Sequence, residues 1–239
     1  MTRRRLDCCP AQRLLAIGAT AFLFHAAPIA AGAQPMSPSA TPSDLGGHSA
    51  EQPAINNMVS QGIMREAEPG KFEPDAGQSR ADFASSMQRM FNLPMPSRPI
   101  WFSDLPPNSP IYLAVQSVAP YLHWQMLCPG CALRSDFMPS ESVSRAEVTV
   151  VLTAILVAQS KIPLLSTVET ERVLADVGDA SDLPPAARPY FATAIKTGVL
   201  ALRPGNNMAL SLHPSRADTA VLLDGVQKKF NLPRATAMP

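Results

Sequence analysis

One tetrapeptide occurs three times in the chain: Ser79-Arg80-Ala81-Asp82, Ser144-Arg145-Ala146-Glu147 and Ser215-Arg216-Ala217-Asp218. The copies are 65 and 71 residues apart, and with these offsets and no gaps, positions well outside the tetrapeptide also coincide. Seven residues before each serine stands a large apolar residue: Phe72, Phe137 and Met208. Ten residues further back lie Gly62-Ile63, Leu127-Cys128 and Gly198-Val199. Downstream, apolar residues coincide at Met87, Leu152 and Leu223, then at Met90, Ile155 and Val226. Such a correspondence marks an internal repeat whose units bury their apolar faces only against one another.

Each unit reads as helix, loop, helix. The second helix is the clearer one. Val148, Val151, Leu152, Ile155 and Leu156 recur at the i, i+3, i+4 spacing of one buried face. Leu222, Leu223, Val226 and Phe230 do the same in the last copy, and Phe83, Met87, Met90 and Phe91 in the first. The first helices are expected near 53–61, 110–126 and 189–197, where Pro53, Pro110 and Pro189 suit a first helical turn. Pro120 must kink or break the middle one. The expected fold is all-α, with three helix-loop-helix units in pseudo-threefold order around a central bundle of the three long helices.

Ser-x-x-Asp/Glu is a capping box. Serine at the N-cap accepts from the third amide of the helix and the acid reaches back, for about 1 kcal/mol per cap. That accounts for the serines and acids. It does not account for Arg80, Arg145 and Arg216, which place a cation at the positive end of a helix dipole. Two readings stand side by side. The guanidinium beside free amides holds a carboxylate or phosphate ligand, or it forms a salt bridge to a neighbouring unit's acid.

The first 33 residues have the anatomy of a signal peptide: Arg3, Arg4, Arg5 and Arg13, an apolar run from Leu14 to Ala27, and Ala31-Gly32-Ala33 before Gln34. The apolar run is short for a membrane span, and no later stretch is long enough for one. Residues 34–50 are rich in Pro, Ser, Ala and Gly and read as a disordered linker. The units are expected at 51–95, 96–165 and 166–232, with a disordered tail at 233–239. A formal net charge of +1 gives no basic stripe for nucleic acid.

The units resemble the S-layer homology (SLH) domain family. The resemblance rests on Phe72-Glu73-Pro74 and Phe137-Met138-Pro139, on the Ser-Arg-Ala-acid helix start, and on Phe102-Ser103-Asp104-Leu105 and Leu174-Ala175-Asp176-Val177 as unit openings. It extends over about residues 51–232 as three tandem repeats. It departs from the family in the first copy, whose opening falls in the linker, and in the third, where Met208 and Leu210 replace Phe and Pro. The resemblance implies an exported, non-catalytic module that anchors to a cell-wall or envelope polysaccharide, often acidic, in grooves between repeats. It implies ligand contacts for Arg80, Arg145 and Arg216, with Asp104 and Asp176 lining or bracing the grooves. Trp101 and Trp124 either stack on sugar rings or are simply packed. The alternative on the same fold is a protein–protein scaffold with an envelope protein as partner.

Cys128 and Cys131 are the only cysteines after the signal segment. In an oxidising compartment they read as a small disulfide loop, or as a redox pair of the Cys-x-x-Cys type, which leaves a thiol–disulfide oxidoreductase as the enzymatic alternative. No metal site is expected, because His48, His123 and His213 are scattered. No cofactor is expected, and neither a Gly-x-Ser-x-Gly elbow nor a phosphate-binding Gly-Lys loop is present. Glu169, Glu171 and Asp176 read as a solvated approach to the third unit.

Overall fold

Prolines and serines set where the helices begin. The structure, a computed structural model, describes residues 41–127 and 135–235. Helix α1 (Gln52–Ser60) and helix α7 (Arg188–Thr197) carry Pro53 and Pro189 in their first turns. Helix α3 (Tyr112–Val118) ends just before Pro120, whose missing N–H diverts the chain into a 3-10 turn at Ala119–Tyr121. A short α4 (Trp124–Leu127) follows. The three long helices are α2 (Arg80–Phe91), α5 (Arg145–Ala158) and α8 (Arg216–Lys229). Among the described residues only isolated β-bridges occur, so the fold is all-α as expected.

Helix α6 (Thr167–Leu174) was not anticipated. Its start obeys the same rule as the long helices: Ser166 accepts from the Glu169 amide, and the Glu169 carboxylate returns to Ser166. The approach to the third unit thus contains an ordered helix, on which Glu171 is exposed and Glu169 half-buried. Glu169 also meets Lys196 at 3.1 Å and Glu171 meets Arg188 at 2.6 Å, both joining α6 to α7.

Each long helix starts on an extended serine, Ser79, Ser144 or Ser215, that caps the third amide. Each ends on a left-handed residue: Asn92, Ser160 and Asn231 have φ of 48°, 55° and 48°. Phe91-Asn92-Leu93-Pro94 and Phe230-Asn231-Leu232-Pro233 are the same helix stop used twice. The stop falls three residues earlier relative to the capping serine in α2 than in α8, so a gapless repeat comparison passes over the match.

The apolar faces read from the sequence are buried, with Met87, Leu152, Ile155, Leu156 and Leu223 fully enclosed. Helix α5 goes further, burying Thr149, Val150 and Thr153 as well, so its environment is apolar nearly all round. The two threonine hydroxyls satisfy themselves on carbonyls one turn back. The closest helix pairs are not long with long. They are α2 with α3, α6 with α7, α5 with α7, and α8 with α1, so each long helix packs on a shorter helix of another unit, α8 returning to the first. The long helices approach one another chiefly at their first turns, where bridges join Ser79 to Ser142 and Gly77 to Ser215.

An aspartate strap opens each unit. The Asp104 carboxylate accepts from the Phe137 and Met138 amides at 2.8 and 2.7 Å. Asp44 does the same for Phe72 and Glu73, and Asp179 for Met208 and Ala209. The second residue of each pair, Glu73, Met138 or Ala209, has φ between 54° and 57°. Two successive amides presented by such a left-handed turn form a small anion cradle, and the aspartate fills it from within. Phe72, Phe137 and Met208, beside the turns, are buried.

Two of these straps and a contact of the tail correct three readings. The first unit begins by Ser43, not at 51, because Asp44 anchors the Phe72 turn and Leu45 is buried. The third unit's opening acid is Asp179, whereas Asp176 is exposed and makes no hydrogen bond among the described residues. The tail packs as far as Ala235, whose amide donates to Gln61. The described residues belong to one compact unit, Ser37–Pro239. The signal segment, most of the linker, the Cys128–Cys131 loop and the Trp124 side chain lie outside the description.

Candidate functional site

The amides that a helix start normally leaves open are occupied here. Arg80 N–H donates to the Glu141 carbonyl and Ala81 N–H to Pro139, at 2.8 and 3.0 Å. Arg145 and Ala146 donate in the same way to Leu212 and Leu210, and Arg216 and Ala217 to Ala76 and Pro74. The third amide of each helix goes to its capping serine. A ligand anion at these helix starts therefore finds no open backbone donor, and that part of the sequence argument fails. The hydrogen bonds instead stitch each long helix to the loop of the next unit.

The three arginines have different fates. Arg216 is 6% exposed. Its Nε donates to the Phe72 carbonyl at 2.7 Å, Nη2 donates to the Arg65 carbonyl, Nη1 lies 3.5 Å from Asp82, and the guanidinium stacks 4.7 Å above the Phe72 ring. Arg80 Nη2 meets Glu147 Oε1 at 2.6 Å, both side chains being 11% exposed. Both arginines thus make the salt bridge to a neighbouring unit's acid. Arg145 donates from Nε to the Met208 carbonyl at 2.7 Å and from Nη2 to Ala201. Among the described residues it forms no ion pair, and its Nη1 has no hydrogen-bond partner.

Arg145 lines a groove of about 420 Å³. Helices α5 and α8 and the loop after α7 enclose it, with Val148, Leu152, Leu200, Leu222 and Val226 as apolar walls. Arg203 and Lys229 stand beside Arg145 in the lining, against the one carboxylate of Asp218. Burial, then the Arg203 cation, push the Arg145 pKa down, while Asp218 and Asp179 oppose the shift. Lys229 Nζ lies 2.6 Å from where a Cβ on Gly198 would stand. The ammonium therefore rests on the left-handed glycine that ends α7, where helix carbonyls favour a cation. A concave site with apolar walls and three cations against one carboxylate suits an anionic ligand with an apolar face.

Beside Arg80 the described residues form only a small cavity. Phe83, Ala84, Val118, Leu122, Phe137 and Val151 leave only about 10 Å³ there. Of the ligand contacts expected from the sequence, Arg145 alone is in the lining of the large groove. Asp104 is engaged by backbone amides, and Asp176 lies on the surface. Trp101 is 73% exposed and is not part of the groove lining. Arg203 and Lys229 escaped sequence reasoning because neither stands at a position shared by the three units. Among the described residues, no cluster of His, Cys, Asp and Glu is arranged to hold a metal ion, and no helix is long and apolar enough to cross a membrane.

No curated protein matches the chain. Residues 43–84 match the family model of the S-layer homology domain. The matched segment runs from the Asp44 strap through the first Ser-Arg-Ala-Asp helix start. On that match, the first unit is similar to the S-layer homology family, whose members are modules that anchor proteins to cell walls.

Proposed function

We propose that all three units are S-layer homology repeats, and that the chain is an exported, non-catalytic module holding an anionic cell-envelope polysaccharide. The site is the groove between the second and third units. Arg145, Arg203 and Lys229 supply the charge, and the Leu212 and Val221 side chains offer apolar surface to a sugar ring at its mouth. The observation that carries this reading is the contrast between the roughly 420 Å³ cationic groove at Arg145 and the roughly 10 Å³ space at Arg80. One groove per chain does the binding, and Arg80 and Arg216 serve the fold.

The test is co-sedimentation with purified cell-wall sacculi, before and after chemical removal of acidic substituents. The parent chain pellets with intact sacculi and less with stripped ones. The triple variant Arg145→Ala/Arg203→Ala/Lys229→Ala stays in the supernatant. If that variant pellets as well as the parent, the groove is not the site. The second reading, a protein–protein scaffold, draws on the exposed Met95 side chain at the end of the first unit and on Ile100, Trp101 and Leu113 of the second. It predicts no binding to sacculi freed of protein.

A further inference from the structure

The three seams between helices are not chemically alike. Where α8 meets α1, Gln61 and Gln227 exchange two amide hydrogen bonds, Gln61 Nε2 to Gln227 Oε1 at 3.0 Å and Gln227 Nε2 to Gln61 Oε1 at 2.9 Å. Both side chains are buried. Asn57 Nδ2 donates to Asp224 Oδ1 at 2.7 Å, Gln61 Nε2 donates to Asn57 Oδ1 at 2.9 Å, and Lys228 Nζ holds Asp224 Oδ2 at 2.6 Å. The Ala235 amide completes the cluster on Gln61 Oε1.

The places of Gln227 and Asn57 carry no such amide pair in the other seams. Twelve residues after its capping serine, α8 has Gln227, while α2 has Phe91 and α5 has Leu156. Five residues before the unit's glycine, α1 has Asn57, while α7 has Thr193, whose hydroxyl accepts from the Leu165 amide and not from α5. The α8–α1 seam is also the one that joins the two ends of the fold, across 166 residues of chain between Gln61 and Gln227.

We propose that this buried amide cluster is the device that closes the ring of helices in a single arrangement. Three similar units give each short helix three similar long helices to pack on, and apolar faces of similar shape discriminate weakly between them. Facing Phe91 or Leu156, the Gln61 amide would lose its partner in a buried place, at a cost of about 1–3 kcal/mol. Facing Gln227 it is satisfied. The cluster therefore directs α1 to α8 of its own chain. Without it, α1 packs on the wrong long helix, or on α8 of a second copy.

The experiment compares the parent with Gln61→Leu/Gln227→Leu, which keeps approximate volume and removes both buried side-chain amides together, so that neither is left facing an apolar partner. Both are refolded from urea at low and high protein concentration, then examined by size exclusion with mass measurement and by amide NMR spectra. The expected result is preserved helix content, with a concentration-dependent dimer and doubled amide signals that the parent lacks. A variant that refolds to the parent's single species at every concentration overturns the proposal. If the double leucine variant does not fold, Asn57→Asp and Asn57→Asp/Asp224→Asn decide the matter. The single change sets two carboxylates face to face and should give the mixed species. The exchanged pair should restore the parent's single species, and failure of that rescue counts against the proposal.

Discussion

Glu147 is shared between two helices. Its Oε1 accepts from Arg80 Nη2 at 2.6 Å, and its Oε2 accepts from the Ser144 amide and hydroxyl at 2.8 and 3.0 Å. One carboxylate thus caps α5 and fixes the start of α2. Asp82 stands in the same relation to Ser79 and Arg216. In the first two copies the acid of the tetrapeptide is both a cap and a link to another long helix, whereas Asp218 bonds only to Ser215 among the described residues.

Replacing Glu147 separates the two roles. Glu147→Ala removes the cap and leaves the Arg80 guanidinium without its carboxylate, for an expected loss of about 3–4 kcal/mol. Glu147→Gln keeps an acceptor for the cap and loses only the charge, so about 1–2 kcal/mol should go. Urea unfolding of the three proteins measures both. Equal losses in the two variants would mean that the cap contributes nothing beyond the ion pair.

The arginines predict opposite outcomes at equivalent positions. Arg216→Ala strips donors from the buried Phe72 carbonyl and the Arg65 carbonyl and loses the packing over Phe72, so it should cost about 2–4 kcal/mol. Arg145→Ala loses bonds to the Met208 and Ala201 carbonyls at the rim of an open groove, for about 1–2 kcal/mol. Under native conditions Arg145→Ala should weaken sacculus binding sharply. The separation is read by measuring urea midpoints and pelleted fractions on the same preparations. Binding lost equally in both variants while both remain folded would count against a single working groove.

This contrast marks what the sequence could reveal. Periodicity and caps are local, so the long helices, their buried faces and the break at Pro120 were legible. The Asp44 strap was not, because Asp44 lies in a stretch whose composition reads as linker and its partners Phe72 and Glu73 are 28 and 29 residues away. Asp179 was missed for Asp176 because apolar residues flank both, and only the turn at Met208 distinguishes them. The arginines share one motif, yet their accessibility depends on the neighbouring unit. Phe72 covers Arg216, while smaller, more open surroundings leave Arg145 on a groove.

The choice between Asp179 and Asp176 is directly testable. Asp179→Asn weakens two charge-assisted bonds that hold Ala209 in a left-handed conformation, and should cost about 1–3 kcal/mol. Asp176→Asn changes an exposed side chain and should stay within about 0.5 kcal/mol of the parent. Thermal melts of the two single variants suffice. A larger loss from Asp176→Asn would return the opening motif to Leu174-Ala175-Asp176-Val177.

Acid should loosen the third unit through α6. Hydrogen bonds from Ser166 and Lys196 hold the Glu169 carboxyl down to about 2, against an ordinary value of 4.5. The Arg188 hydrogen bond likewise lowers Glu171. At Asp44, burial raises the pKa, but the Phe72 and Glu73 amides outweigh it and leave the group below its ordinary value. A carboxylate whose folded pKa is depressed binds fewer protons than in the unfolded chain. Its contribution is complete above the unfolded value and is lost as pH falls through the folded one. Stability should therefore decline from about pH 5 towards pH 2, the Glu169 share being lost as pH approaches about 2. Glu169→Gln removes that share at neutral pH, so its urea midpoint should start lower and fall less steeply with acid than the parent's. Parallel curves for the two proteins, offset by a constant amount down to about pH 2, would show that Glu169 titrates alike in the folded and unfolded chains, and the α6 cap would then not be the acid-sensitive element.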